Sequence, residues 1–166
     1  MQDDPLQGRA EKKAYRLLTL RAHSEQELRA KLRQGGFPEP VIAGVLEKCR
    51  GLGYLNDGAF ARGRTRELAV NRLLGDRRIA LDLREKGISE ELSRQAIAEI
   101  RAEIGEEDAV DRLLRKKALG GTIGGRDDKE TARIARSLLG KGFPTGLIFR
   151  KLKGLKEEQF HGDDGE

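Results

Sequence analysis

Aromatic residues and cysteine are scarce in this chain. Of its 166 residues only 4% are aromatic, tryptophan is absent, and Cys49 is the single cysteine. A lone cysteine excludes an internal disulfide framework, and two histidines without a His-x-x-x-His pair leave a metal site almost without ligands. So few aromatic residues also argue against a β-sandwich or β-barrel, whose strands are rich in aromatic and β-branched residues. We therefore expect no disulfide scaffold, no metal or other cofactor, and no all-β fold.

Long apolar segments are missing as well. The longest apolar runs fall far short of the roughly eighteen residues needed to cross a bilayer, and the N-terminal MQDDPLQG is acidic with no apolar stretch behind it. This pattern predicts no transmembrane helix and no secretory signal. Together with the single cysteine, it indicates a reduced, cytoplasmic protein without a membrane partner.

Charge is abundant instead, at 37% of the residues with a net charge of +5. Residues 129–156 hold eight Lys or Arg against one acid, 12–50 hold nine against four, and 62–86 hold eight against four, whereas 157–166 carry five acids and no Lys or Arg. This alternation indicates a polyanion or an acidic protein surface as the partner. The alternative is an ordinary solvated helical surface, and charge alone does not decide between the two.

One phrase occurs three times, as KLRQGGFPEPVI at 31–42, DLREKGISEEL at 82–92 and SLLGKGFPTGLI at 137–148. Each copy repeats the spacing of four, four, four and one residues. The matching positions are Ser24, Leu28, Leu32, Gly36 and Phe37; Gly75, Ile79, Leu83, Gly87 and Ile88; and Glu130, Ile134, Leu138, Gly142 and Phe143. The spacing between the glycines predicts a repeat of about the size of a three-helix module.

Each feature of this phrase has a physical cause. Apolar residues four apart share one helix face, and glycine after the last turn adopts the left-handed conformation that closes the helix. The next residue then packs back on the last turn, in an element that we call the glycine latch. Ser24 and Glu27 match a capping box for the helix leading into the first latch. The predicted pairs are Phe37 with Leu32, Ile88 with Leu83, and Phe143 with Leu138.

These elements predict an all-α fold of three tandem three-helix repeats, stacked into an elongated curved array because one such module buries little apolar surface alone. Helices at about 9–22, 57–74 and 106–119 would precede the three latched helices. The predicted organisation is a flexible N-terminus at 1–11, repeats at 12–55, 56–104 and 105–156, and an acidic flexible tail at 157–166. The alternative is a compact helical bundle whose internal similarity arises by chance.

The central copy resembles the RecX family. GYLND at 53–57, FA at 60–61 and GDRRIALDLREKGI at 75–88 are similar to the family pattern of Gly-Tyr/Phe-Leu-Asn/Asp-Asp, Phe-Ala, Gly-x-x-Arg-Ile and Lys-Gly-Ile. The likeness extends from about residue 12 to 153. Asp76 departs from the family, where proline is frequent, and so does Gly140, which replaces an arginine and removes one basic contact. The positions that carry the likeness, with Leu83 expected to join them in a structural role, are Gly53, Tyr54, Leu55, Asn56, Asp57, Phe60, Ala61, Gly75, Arg78, Ile79, Lys86, Gly87 and Ile88.

The resemblance implies a non-enzymatic regulator of the RecA recombinase. Such proteins are expected to be monomers that lie in the groove of the RecA filament on single-stranded DNA. There they limit filament growth and suppress ATP hydrolysis, strand exchange and the co-protease activity that triggers the SOS response, which modulates recombinational DNA repair. The implied partners are RecA and the DNA inside the filament, and no catalytic residue or small-molecule substrate is implied.

Basic residues of the second and third predicted repeats are candidates for this contact. Lys129, Arg133 and Arg136 lie at i, i+4 and i+7, opposite Ile134 and Leu138. They would contact phosphates or acidic side chains of RecA, unless they only keep the helices soluble. The full set of candidates for partner or nucleic-acid binding is Arg77, Arg78, Arg84, Lys129, Arg133, Arg136, Lys141, Arg150 and Lys151.

Two other functions stay open from the sequence: a general helical DNA-binding protein that uses the same basic faces without a protein partner, and an adaptor that binds another acidic protein. Base-specific reading and base stacking are not expected, because no recognition-helix pattern occurs and only two tyrosines are present. The stretch GGTIGGRD at 120–127 has glycines at phosphate-loop spacing, but Arg126 and Asp127 stand where Lys and Ser/Thr are required. We predict a flexible connection there, and a buried apolar role for Cys49.

Overall fold

The computed structural model describes residues 4–120 and 127–161, and within these ranges the regular structure is helical with no strand. The helices of this part of the chain form three consecutive sets of three, so the predicted all-α fold of three three-helix repeats is confirmed. They are α1 (Pro5–Leu20), α2 (Glu25–Gln34), α3 (Glu39–Gly51), α4 (Asp57–Arg66, continued by a π-helical segment Glu67–Asn71), α5 (Asp76–Glu85), α6 (Glu90–Glu103), α7 (Glu106–Leu119), α8 (Asp128–Gly140) and α9 (Thr145–His161).

The three glycine latches form as predicted. The glycine φ angles are 83° at Gly36, 76° at Gly87 and 91° at Gly142, in the region where an L side chain is strained. In each latch the N–H after the glycine donates to the carbonyl five residues earlier, and the leucine that accepts is fully buried. The bonds are Phe37 to Leu32 at 3.3 Å, Ile88 to Leu83 at 3.0 Å and Phe143 to Leu138 at 3.3 Å. The capping box of Ser24 and Glu27 is confirmed too.

Two helices extend beyond the predicted repeat boundaries. α1 begins at Pro5, so residues 5–11 are helical where we predicted a flexible N-terminus. The Asp4 carboxylate caps this helix by accepting a hydrogen bond from the Leu6 N–H at 3.0 Å, and proline is well tolerated in a first helical turn. α9 runs on to His161, which places the first part of the predicted acidic tail in a helix. Of the predicted flexible connection at 120–127, residues 121–126 lie outside the described residues.

The helix predicted over 57–74 ends earlier than its apolar pattern suggests. α-Helical geometry stops at Arg66, and the π-helical segment follows. Leu74 then donates its N–H to the carbonyl of Leu68 at 2.9 Å, which is a wider turn than an α-helix makes. Leu73 has a φ of 52°, which is uncommon for a residue other than glycine or asparagine, and it is buried. Burial of these three leucines therefore overrides the regular helix.

The chain divides into two compact units. The first unit comprises Met1–Arg64 and Asp82–Ala96, and the second comprises Thr65–Leu81 and Ile97–Glu166. Aliphatic side chains make up most of the core of each unit. The core of the first unit includes Ala10, Ala14, Leu28, Leu32, Ile42, Val45, Leu46, Cys49 and Leu55. Buried apolar residues of the second unit include Leu68, Ile79, Ile100, Ile104, Val110, Ile134, Leu138, Phe143 and Ile148.

Each unit contains one joint between consecutive repeats, and the two joints are alike. In the first unit, Ser24 Oγ donates to the carbonyl of Lys86, directly before the second latch glycine, at 2.6 Å. In the second unit, the Gly75 N–H donates to the carbonyl of Lys141, directly before the third latch glycine, at 2.8 Å. Ser24 and Gly75 hold equivalent positions in the repeat, and so do Lys86 and Lys141. A latch therefore also attaches its repeat to the preceding repeat.

The joint in the second unit leaves no room for side chains. A Cβ on Gly75 would come within 2.5 Å of the Gly142 carbonyl, and a Cβ on Gly142 would come within 2.5 Å of the Arg78 backbone nitrogen. Both glycines are therefore needed for the close approach of two backbones. The residue of the third repeat that corresponds to Ser24 and Gly75 is Glu130, in α8. Its N–H donates to the carbonyl of Asp127 in the same repeat, at 3.0 Å, and not to the carbonyl of a latch.

Candidate functional site

The outward face of α8 carries three basic side chains. Asp127 begins this helix by accepting a hydrogen bond from the Lys129 N–H at 3.0 Å, and Ile134 and Leu138 are buried on the inner face. Lys129, Arg133 and Arg136 are exposed on the opposite side, and we call these three residues the α8 basic face. No ion pair joins any of them to a carboxylate in residues 4–120 and 127–161. Their charge therefore remains available to a partner.

The start of α5 brings further basic residues to the end of α8. Arg77 and Arg78 are exposed, and the backbone of Arg78 lies against Gly142, next to the half-buried Lys141. None of these three cations forms an ion pair with another described residue. The second unit thus combines the α8 basic face with a second cluster of unpaired cations at its joint. Arg84, on the same helix but in the first unit, is exposed and likewise unpaired within the described ranges.

The two candidates on α9 are in a different position. Arg150 pairs with Glu107 at 2.5 Å, and Lys151 pairs with Asp111 at 3.0 Å. Both acids belong to α7, which packs against α9. Both residues are predicted partner contacts on the basis of their charge, because the sequence does not show that Glu107 and Asp111 lie next to them. Their charges are partly neutralised inside the protein.

A third basic face, on α7, is not among the contact residues predicted from the sequence. Arg112, Arg115 and Lys116 are exposed on α7 at i, i+3 and i+4, a spacing that places them on one side of the helix. None of them forms an ion pair with a residue that the structure describes. This spacing is visible in the sequence. However, the acids at the start of the same helix lower the net charge of the segment, so the segment does not stand out as basic.

Most residues that carry the family resemblance have structural roles. Gly53 has a φ of 75° and closes α3 with a fourth latch, in which the Tyr54 N–H donates to the carbonyl of Cys49 at 2.9 Å. The tyrosine ring is the exception, because the Tyr54 side chain is 58% exposed. The buried apolar positions of the motif are Leu55, Phe60, Ala61, Ile79, Leu83 and Ile88.

The polar residues of the motif fix the start of α4. The Asn56 side chain accepts a hydrogen bond from the Ala59 N–H at 2.9 Å, as a helix cap does. The Asp57 carboxylate accepts one from the Glu25 N–H at 2.8 Å and so connects the start of α4 to the start of α2. These two residues therefore position helices and do not form an exposed site.

Burial and hydrogen bonding shift the pKa of several titratable groups in the first unit. Burial raises the pKa of the Cys49 thiol and lowers the pKa of His23, so both are neutral near pH 7. Burial opposes ionisation of Glu27 as well, but hydrogen bonds from Arg21 and from the Ser24 N–H outweigh it and lower the pKa of that carboxyl. Cys49 is fully buried, as predicted, and a protonated thiol is a weak nucleophile.

Neither a metal-binding cluster nor a membrane-spanning helix occurs in the described part of the chain. No group of three or more His, Cys, Asp or Glu side chains lies there in a position to hold a metal ion. Among the same residues, no helix has both the length and the apolar character required to cross a bilayer. The exposed cations of α5, α7 and α8 are the candidate contact residues of this surface.

Comparison with known proteins places both the sequence and the fold in one family. Residues 10–49 match the first three-helix domain of RecX, and residues 56–97 match the second three-helix domain of RecX. The first range lies within α1–α3, and the second runs from the residue before α4 into α6. The domain models therefore follow the same helix sets as the internal repeat.

Full-length relatives extend this match beyond the first two repeats. The regulatory protein RecX of Syntrophotalea carbinolica is 33% identical over 138 residues, which cover 82% of this chain and 90% of the relative. That of Streptomyces coelicolor is 34% identical over 151 residues, covering 91% and 78%. The crystal structure of RecX from Lactobacillus salivarius shares the fold with a TM-score of 0.76 at 22% identity, over 91% of this chain and 97% of the other. The chain belongs to the RecX family of regulatory proteins.

Proposed function

We propose that this chain is a non-catalytic regulator that binds the RecA filament on single-stranded DNA and inhibits its ATPase, strand-exchange and co-protease activities. Membership of a family of regulatory proteins supports the regulatory role. The observation that carries the binding role is the set of exposed cations on α5 and α8 that have no ion-pair partner within the described residues. Through such binding the protein would modulate recombinational DNA repair and the SOS response.

The unpaired state of these cations is what makes them candidates. A guanidinium that already pairs with an internal carboxylate must lose that bond before it contacts a phosphate or an acidic side chain, whereas an unpaired one has no such bond to break. Each contact with a single-stranded DNA phosphate also steepens the log–log salt dependence of binding by about 0.7. The α8 basic face of Lys129, Arg133 and Arg136 therefore suits a partner that presents phosphates or acids in a row.

A general DNA-binding protein is the second candidate function, because the same basic faces would bind bare DNA. The two functions differ in what the partner must contain. A filament regulator binds RecA-coated DNA more tightly than bare DNA at moderate salt, whereas a general DNA-binding protein binds both equally. The adaptor function, in which another acidic protein is the partner, predicts binding to neither.

The test is the RecA ATPase on single-stranded DNA, with the protein titrated in. We expect the wild-type chain to inhibit, and a double reversal, Arg133→Glu with Arg136→Glu, to need roughly tenfold or more protein for the same inhibition, because two unpaired cations become repulsive to phosphate. The matched control is Arg150→Glu with Lys151→Glu, which reverses two charges in the same unit that already pair with acids. It should have a much smaller effect.

Two outcomes would contradict these assignments separately. If the wild-type protein leaves the ATPase unchanged, the proposed function is wrong. If the wild-type protein inhibits and the α8 reversal inhibits equally well, the function stands but the α8 basic face is not its contact surface.

A further inference from the structure

An exposed apolar pocket in the first unit has no role in the function proposed above. It is formed by α1 and by the end of α3 with the residue after the Gly53 latch, and it has a volume of about 450 Å³. Its lining residues, which we call the tyrosine pocket, are Tyr15, Leu18, Thr19, Leu52 and Tyr54. All five positions belong to the first unit, and the pocket brings together both tyrosines of the chain.

Large apolar side chains are unusually open to solvent here. Leu52 is 51% exposed and Tyr54 is 58% exposed, although both adjoin the fully buried core residue Cys49 at the end of α3. Single exposed apolar residues are common on protein surfaces, whereas a concave cluster of them marks a binding site. Tyr54 also lies in the family motif, where its neighbours Gly53 and Leu55 have structural roles, whereas Tyr54 itself is largely exposed.

The lining favours an apolar side chain over a nucleic-acid base. The rings of Tyr15 and Tyr54 meet edge to face, with centroids 5.9 Å apart and an interplanar angle of 84°. The edge of one ring therefore covers part of the face of the other. The Thr19 hydroxyl already donates to the carbonyl of Tyr15 at 2.8 Å. Leu18 and Leu52 add aliphatic walls without hydrogen-bonding groups. Because the two rings already contact each other, a base would not find an open stacking platform here.

The charges around the pocket indicate the character of the partner. Lys12 lies three residues before Tyr15 on α1, and Arg16 lies three before Thr19, so both are on the turns beside the pocket. Both are exposed, and neither forms an ion pair with a residue that the structure describes. The nearby acid, Glu11, is held by Lys48 at 2.9 Å, a hydrogen bond that lowers the pKa of the Glu11 carboxyl. The rim is therefore basic and complements acidic residues.

We propose that the tyrosine pocket binds an apolar side chain of a protein partner, at a place where that partner also carries acidic residues. The inference depends on the proposed function for the identity of that partner, which would be the RecA subunits of the filament. The pocket would contact RecA protein, while the unpaired cations of the second unit would contact phosphates or acids. Binding of the filament would then depend on apolar burial as well as on charge.

The experiment compares filament with bare DNA. Filaments are formed by RecA on a fluorescent single-stranded oligonucleotide with a slowly hydrolysed ATP analogue, and the same oligonucleotide serves as the bare probe. The pocket variant is Leu52→Ser with Tyr54→Ser. We expect it to bind filament about tenfold or more weakly, because a buried apolar anchor is worth more than 1 kcal/mol at a protein interface. Its affinity for the bare oligonucleotide should stay within about twofold of wild type, since apolar residues contribute nothing to phosphate attraction.

Two further variants keep the result interpretable. Phe149→Ser removes a similarly exposed apolar side chain, 63% exposed on α9, and should leave filament binding unchanged. Thr19→Trp fills the pocket while removing only one side-chain hydrogen bond, and it should weaken filament binding like the double variant. If the double variant does not fold, which far-ultraviolet circular dichroism detects, Thr19→Trp decides the question.

Each remaining outcome overturns a specific statement. Pocket variants that fold and bind filament like wild type would refute the tyrosine pocket as a contact surface. Equal losses for filament and for bare oligonucleotide would identify a nucleic-acid base as the occupant and refute the protein partner. Failure of the wild-type chain to bind filament at all would refute the proposed function and this inference together.

Discussion

Helices α8 and α9 belong to the same unit and are both rich in lysine and arginine, but their charges have different surroundings. On α9, Arg150 and Lys151 face Glu107 and Asp111 of α7. On α8, the three residues of the α8 basic face have no such partner among the described residues. The same density of positive charge in the sequence is therefore neutralised on one helix and available on the other.

The cause of this difference lies at the start of α7. Three of the acids in this region stand in its first turn, where carboxylates are stabilised by the positive end of the helix dipole. Because α9 packs against α7, one of these first-turn acids, Glu107, also pairs with Arg150, and Asp111 in the next turn pairs with Lys151. α8 lacks ion pairs with this acidic end in the described ranges. The availability of a basic residue thus depends on which end of a neighbouring helix it meets.

The largest expected effect concerns the joint that supports α8, compared with a glycine inside α9. Gly142→Ala should lower the free energy of unfolding by roughly 2–4 kcal/mol, because an L side chain at a φ of 91° is strained and its Cβ meets the backbone of Arg78. Gly154→Ala, in open space on α9, should raise it by up to about 1 kcal/mol through helix propensity. Urea denaturation of the two variants and wild type measures both changes. A Gly142→Ala protein as stable as wild type would show that the latch does not require glycine.

The second prediction concerns salt dependence. Arg133→Ala with Arg136→Ala should reduce the log–log salt slope of binding to RecA-coated DNA by about 1.4, if both residues contact single-stranded DNA phosphates at about 0.7 each. Arg150→Ala with Lys151→Ala should reduce it by far less, because those cations are already paired. The measurement is the affinity at several salt concentrations. Equal slopes for the two double variants would mean that internal pairing does not determine which cations bind.

The latches and the repeat could be predicted from the sequence because each depends on local rules. A leucine, a glycine four residues later and an apolar residue after it specify a helix end by backbone conformation alone, and Gly36, Gly87 and Gly142 all adopt it. The basic spacing of Lys129, Arg133 and Arg136 was also local. The prediction of one regular helix over 57–74 was wrong for a non-local reason. Burial of Leu73 and its neighbours replaced the end of that helix by a π-helical segment.

The candidate surfaces needed the structure for a similar reason. Whether Arg150 is available depends on Glu107, which is 43 residues away along the chain. Tyr15 and Tyr54 are also distant in sequence, and only packing of α1 against α3 brings their rings together. The sequence could not show that the two tyrosines of the chain share one pocket. For these two surfaces, pairing between distant residues, and not residue type, separates what the sequence predicts from what only the structure shows.

The smallest expected effect tests the comparison in the opposite direction. If Glu107 neutralises Arg150, then Glu107→Gln should release that cation and raise the affinity for RecA-coated DNA by about two- to fourfold, an effect of the size of one exposed ion pair. The control is Glu99→Gln, which removes an exposed acid of the same unit that pairs with no cation among the described residues. It changes the net charge equally but releases nothing. A gain in affinity for Glu107→Gln alone would confirm that internal pairing prevents the α9 cations from binding. Equal gains for both variants would show that only the net charge determines the affinity.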